Sequence, residues 1–301
     1  MINNFYKGER NQMSYIIAIG AYLVLLMIYG LVIAHKKVKT TDDMMTGGHK
    51  IPFIILVGSL LATWCGGGGI TGSAGVVYSG GPWVGALTFA APPIGIILLY
   101  FIAGKVRKSN KVTVPEIMGA RYGTVASIIS ALCVMLAYVG VLATQLKAAA
   151  NILVLLCSSS NIEMSHGMAL AICTVIVVII TVGGGLVSVA YSDAISALIM
   201  IGGFFLAIPI LMHAASTQGA VLSPEKTTLT GGMSGWTILG YFLPSLALML
   251  GDQNMLQRFA SAKNSDEAKK SNIGMFIGEL LVIISIIALV TQAAKLYPSL
   301  D

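Results

Sequence analysis

The residues able to do chemistry in this chain are few, and each lies inside an apolar stretch. Leu61-Ala62-Thr63-Trp64-Cys65-Gly66-Gly67-Gly68-Gly69-Ile70-Thr71-Gly72-Ser73 carries four consecutive glycines, each a poorer helix former than alanine by about 1 kcal/mol. In lipid, backbone groups freed from a helix are tolerated only where protein buries them or they line a cavity. A helix unwound there would offer carbonyl oxygens to a cation and half-helix N–H groups to an anion. Close helix packing through small residues is the competing reading. Four glycines in a row, flanked by Thr63, Thr71 and Ser73, favour the break. Glu279 lies within Phe276-Ile277-Gly278-Glu279-Leu280-Leu281. A carboxylate at such a depth costs several kcal/mol unless it is paired, protonated or facing water, so it is a functional candidate.

Further candidates are weaker. Asp193 follows the triple glycine Gly183–Gly185 and either caps the next helix or helps hold a cation with oxygen ligands. Lys147 either snorkels to an interface or serves the site. Pro244-Ser245 and Gly251-Asp252-Gln253-Asn254 predict a second interrupted helix; interruptions at corresponding positions of two repeats point to a binding site at the bilayer midplane. His35, His49, His166 and His213 fall at the ends of apolar stretches. Cys65, Cys133, Cys157 and Cys173 show no CxxC spacing, so neither a zinc site nor a disulfide framework is indicated.

The elements that must position these residues follow from composition. Of 301 residues, 56% are hydrophobic and 10% charged, against roughly 25% charged in soluble domains, and the mean hydropathy is +0.86. A soluble enzyme, a nucleic-acid-binding protein and a disordered chain are excluded. A bilayer crossing takes about 20 apolar residues, and eight stretches qualify: 14–34, 53–78, 82–104, 125–156, 166–186, 189–214, 236–257 and 273–294. The expected fold is therefore an all-α integral membrane protein of about eight transmembrane helices. With residues 1–13 outside, the inner loops carry thirteen cations: Lys36, Lys37, Lys39, Lys50, Lys105, Arg107, Lys108, Lys111, Arg121, Arg258, Lys263, Lys269 and Lys270. The outer segments carry four, Lys7, Arg10, Lys226 and Lys295. That bias predicts a multi-pass protein of the plasma or inner membrane with its N-terminus outside. No cleavable signal peptide is evident, and Met13 is an alternative start.

Three separated motifs resemble the sodium:solute symporter family. They are the glycine-rich stretch Gly58–Gly75, Gly183-Gly184-Gly185-Leu186-Val187-Ser188-Val189-Ala190-Tyr191-Ser192-Asp193, and Asp252-Gln253-Asn254-Met255-Leu256-Gln257-Arg258. Val114-Pro115-Glu116 with Arg121-Tyr122 fits as well, and the nearest branch is that of the choline transporters. The resemblance implies a leucine-transporter-type core of two inverted five-helix repeats after one extra helix. On that layout, 14–34 is the extra helix, 52–214 the first repeat and 235–301 part of the second. It also implies that sodium takes backbone carbonyls at Ala62 and Cys65, with Asp193 contributing to a further sodium site in some members. The positions lining the solute match Gly69, Ser245 and Glu279, beside Trp64 and Thr71. A complete member has about five more spans, so the resemblance makes this chain a partial symporter that lacks the helix supplying hydroxyl ligands to the main sodium site.

The expected function is sodium-coupled symport of a small organic solute by alternating access, with Na+ as coupling ion, no organic cofactor and no nucleic-acid partner. Glu279 is expected to meet a cationic or hydroxylated group, and Trp64 to form an aromatic wall. The resemblance also disfavours choline: Trp64 matches one aromatic position of the choline branch, but Val139 and the Asp252–Asn254 region lack the other aromatics that branch uses to cage a quaternary ammonium. Proton coupling through Glu279, and a non-transporting fragment or sensor module, are the rivals. Nothing resembles a channel filter, and no paired His, metal spacing or nucleophile motif indicates an enzyme.

Overall fold

The computed structural model describes residues 2–160 and 162–299, with side chains from residue 16 onward. Twelve α-helices are found among them: α1 (Ile2–Lys37), α2 (Thr41–Thr46), α3 (Phe53–Trp64), α4 (Gly67–Gly80), α5 (Pro82–Thr88), α6 (Ala91–Ser109), α7 (Val114–Tyr122), α8 (Thr124–Ser159), α9 (His166–Thr217), α10 (Gly235–Gly251), α11 (Gln253–Ser261) and α12 (Ser265–Leu296). The described residues hold no strand beyond one bridging pair, Ile51 and Ala262. Five helical stretches are long and apolar enough to cross a membrane, or six if the bent α3–α4 pair forms one span. The chain is thus an all-helical multi-pass membrane protein.

Three of the eight expected stretches take other forms. Residues 166–186 and 189–214 lie in the single 52-residue run of α9, which bends at Gly185, where φ is 54° and ψ −152°. The stretch 236–257 is cut at Asp252. That residue ends α10 in an extended conformation, and its carboxylate accepts the Met255 N–H at 2.8 Å, starting α11. A side-chain cap of this kind competes directly with helix continuation. Pro244, expected to interrupt the same stretch, stays inside α10.

The chain forms two compact units, residues 1–48 with 133–192 and residues 49–132 with 193–301. In the first, the triple glycine is a packing surface. A Cβ on Gly184 would stand 2.7 Å from the Ala34 Cβ, and Gly183 and Gly185 lie against Leu31 and Met44. Gly30 faces Ser188 and Ser192, and Lys37 donates to the Tyr191 hydroxyl.

In the second unit α3 is held closely on two sides. Gly274 and Gly278 of α12 sit against Val57 and Leu61, and Gly58 sits against Ala194 of α9. Leu61, Ala197, Val282 and Ile286 form a buried cluster at this junction. A Cβ on Gly58 would lie 2.7 Å from the Ala194 Cα, a backbone atom that cannot rotate away. Gly58→Val is therefore expected to destabilise the protein by about 2 kcal/mol through overpacking, read as a lowered midpoint in an SDS-unfolding titration.

Candidate functional site

The site is built on the interruption of α3. Its hydrogen-bond ladder ends with the Cys65 N–H donating to the Leu61 carbonyl at 2.9 Å. Cys65 (φ −80°, ψ 45°) and Gly66 (φ −71°, ψ 161°) leave helical conformation, and α4 starts at Gly67, bent 56° from α3. The break is shorter than the tetraglycine predicts, because Gly67, Gly68 and Gly69 form the first turn of α4. First-turn N–H groups have no intrahelical acceptor in any sequence, so glycines are well tolerated there. Gly66 opens α4 without a side-chain cap.

The interruption leaves the carbonyls of Ala62, Thr63 and Trp64 without a donor one turn on in their own helix, next to that of Cys65. Clustered carbonyl oxygens suit a small hard cation. The Ala62 and Cys65 backbones are thus of the right chemistry for sodium.

Glu279 reaches this point from α12. It is 3% exposed and accepts the Cys65 thiol at 3.3 Å, with the Trp64 side chain beside it. The carboxylate thereby docks on the two residues at which α3 ends. Gly278, one position earlier, allows the approach by lying flat against Leu61. No Lys, Arg or His pairs with Glu279 among the described residues.

Asp193 has another environment. It lies within α9 eight residues beyond the bend, so it does not cap a helix. Its Oδ2 accepts from Arg258 Nη2 at 3.0 Å and from the Ser59 hydroxyl at 2.8 Å, while Arg258 Nε donates to the Ser59 oxygen at 2.8 Å. This triad joins α3, α9 and α11. Arg258, read from the sequence as an inner-loop charge, was not expected to pair with Asp193. Its burial comes from the packing of α11, whose Leu256, Phe259 and Ala260 are buried with it.

The remaining expected site residues are less engaged. Thr71, exposed, donates to the carbonyls of Gly67 and Gly68 within α4. Gly69 is exposed, with the Trp64 carbonyl oxygen 3.5 Å from where its Cβ would be. Ser245 donates to Tyr241 of its own helix at 2.9 Å, and α10 packs on α5 and α6. The structure therefore brings together Ala62, Trp64, Cys65, Gly69 and Glu279, and gives Asp193 and Ser245 separate partners.

A model of the sodium:solute symporter family matches residues 44–299, which include the α3–α4 break, the Asp193–Arg258 pair and Glu279. The chain belongs to this family. Family members are membrane transporters, not enzymes. High-affinity choline transporter 1 of Torpedo marmorata is 27% identical over 278 residues, covering 84% of this chain and 46% of that one. The protein of that name from Drosophila melanogaster is 26% identical over 206 residues, 64% of this chain and 31% of that one. The human sodium/myo-inositol cotransporter is 26% identical over 297 residues, 85% and 40% of the two chains. The chain thus spans about a third to a half of the length of the curated relatives it matches. Among solved structures, a substrate-bound outward-open state of a Na+-coupled sialic acid symporter superposes with a TM-score of 0.72 at 17% identity, over 92% of this chain and 59% of that one. That likeness identifies the fold.

Proposed function

We propose that this chain carries the ion- and solute-binding part of a sodium-coupled symporter for a small organic solute, working by alternating access. The observation that supports this most is the end of α3 at Trp64–Cys65 with the buried Glu279 carboxylate docked on it. Sodium taken up by the carbonyls of Ala62 and Cys65 would hold the α3–α4 bend in one arrangement. Trp64 and Glu279, which adjoin those carbonyls, would then be set for solute, with Gly69 and Thr71 on the first turns of α4 beside them. Coupling is the difference in sodium affinity between outward- and inward-facing states; the ion shifts the population only as far as it prefers one of them. Each net charge moved inward adds about 2.3 kcal/mol per 100 mV of membrane potential.

In this reading residues 14–34 are the extra helix, 52–214 the first repeat and 235–301 part of the second. The N-terminus faces outward from a plasma or inner membrane. Asp193 takes part through Arg258 and Ser59, where the triad ties α11 to α3, and Ser245 would reach the solute only after a rearrangement of α10.

Solute uptake into proteoliposomes containing the full chain tests the proposal. A sodium gradient is expected to drive uptake at least tenfold over a potassium gradient, and Glu279→Gln is expected to remove most of that stimulation. Uptake that follows the pH gradient and ignores sodium would put proton coupling in its place. Sodium-independent behaviour throughout, with no uptake under either gradient, would favour the non-transporting fragment.

A further inference from the structure

We infer that the solute taken at Glu279 is a protonated amine, an organic cation with N–H bonds to donate, rather than a quaternary ammonium or a neutral polyol. The inference rests on the symport reading above and names its substrate class. Glu279 is 3% exposed, and both its hydrogen-bond donor, the Cys65 thiol, and the neighbouring Trp64 side chain are neutral. An ionised carboxylate offers about four lone-pair sites, and the Cys65 thiol takes one of them. A carboxylate withdrawn from water is strongly destabilised unless a cation completes it.

Among the described residues no cationic side chain pairs with Glu279. Among the elements packed on α12, α3 brings Cys65 to Glu279. The Tyr78 hydroxyl of α4 is engaged with the Tyr297 carbonyl, Tyr100 of α6 faces Lys269, and α5 holds no titratable side chain. Arg258, buried in the same unit, is bound to Asp193 and Ser59. The end of α3 adds to the deficit, because a helix C-terminus carries partial negative charge and Cys65, which caps it, is the residue that reaches the carboxylate. Sodium at the Ala62 and Cys65 carbonyls would offset the negative end of α3, and the charge that completes the Glu279 carboxylate itself is assigned to the solute.

Hydrogen-bonding capacity selects the kind of cation. A primary ammonium can donate to both the open carboxylate sites and a carbonyl, and charge-assisted bonds of this type are the strong ones. A quaternary ammonium donates none and relies on several aromatic faces, whereas the aromatic side chain at the end of α3 is a single indole, that of Trp64. A polyol donates hydrogen bonds but leaves the carboxylate uncompensated.

The test is equilibrium binding of radiolabelled ethanolamine to the purified full chain in sodium and in potassium, with unlabelled choline and myo-inositol as competitors. Ethanolamine and choline differ by three N-methyl groups, so their ratio isolates N–H donation. Sodium-stimulated ethanolamine binding is expected, with choline about tenfold weaker or worse and myo-inositol not competing. Glu279→Gln is expected to weaken ethanolamine by about ten- to a hundredfold. A sodium-induced change in tryptophan fluorescence, retained in that variant, shows that it is folded and still takes the ion. Sodium-stimulated binding in which choline or myo-inositol wins, or which Glu279→Gln leaves unchanged, overturns the inference while the symport reading stands. Sodium without effect on the binding of any probe or on the fluorescence overturns both.

Discussion

Replacing Arg258 by alanine is expected to lower the unfolding free energy of the purified protein by about 3 kcal/mol, the lower end of the range for breaking a buried ion pair. The lower end applies because the Asp193 side chain keeps 23% of its exposure while Arg258 keeps 6%. The loss comes from what remains behind. Without the guanidinium, Asp193 holds a single donor, the Ser59 hydroxyl, and Ser59 is itself fully buried. The double variant Asp193→Ala with Arg258→Ala is expected to recover much of the loss, since no charge is then stranded. Arg258→Lys is expected to fall near alanine: Nε and Nη2 address two different partners, a fork that one ammonium does not reproduce. SDS-unfolding titrations of the four proteins give these differences. A single Arg258→Ala variant within 0.5 kcal/mol of the parent, the ordinary scatter of surface substitutions, would show that the triad does not hold α3, α9 and α11 together.

Gly185→Ala is the other large effect. The backbone there, at φ 54° and ψ −152°, lies in a region that only glycine occupies readily; other residues pay about 1–3 kcal/mol. A Cβ would also stand 2.5 Å from the Met44 carbonyl oxygen, and backbone atoms yield little. Together these are expected to destabilise the first unit by about 3 kcal/mol. Gly202→Ala in the same helix is the control: nothing lies within 4 Å of its Cβ position, so it is expected to be neutral or to stabilise by up to about 1 kcal/mol through helix propensity. Equal behaviour of the two variants would sink the claim that α9 depends on glycine to bend. The consequence is more than local, because the bend is what turns 52 helical residues into two bilayer-length pieces.

These two positions differ in how far they could be foreseen. The triple glycine is visible in the sequence, and a division there follows from helix length against bilayer thickness. Which glycine carries the positive φ depends on Met44, Ala34 and Leu31, supplied by other helices. The tetraglycine is similar. Its presence predicts an interruption, but the break fell at Cys65-Gly66, because three glycines suffice for a helix start and Glu279 docks on the residues just before them. In the stretch 236–257, interruptions were expected both at Pro244-Ser245 and at Gly251–Asn254; Asp252 ends the helix with a side-chain cap, while the apolar run around Pro244 stays helical.

By itself the amino-acid order determined the membrane class, the helical content, the rough bounds of the apolar helices and the family, through quantities that are local: hydropathy over some twenty residues, glycine and proline punctuation, and motif spacing. Only the tertiary structure decided which polar side chains meet. Cys65 and Glu279 are 214 positions apart, and Asp193 and Arg258 are 65 apart. Nothing in either neighbourhood specifies the partner. In a low-dielectric interior an unpaired polar group is destabilising wherever it lies, so each must find a companion; packing of α12 and α9 on α3 through glycine contacts settled which one.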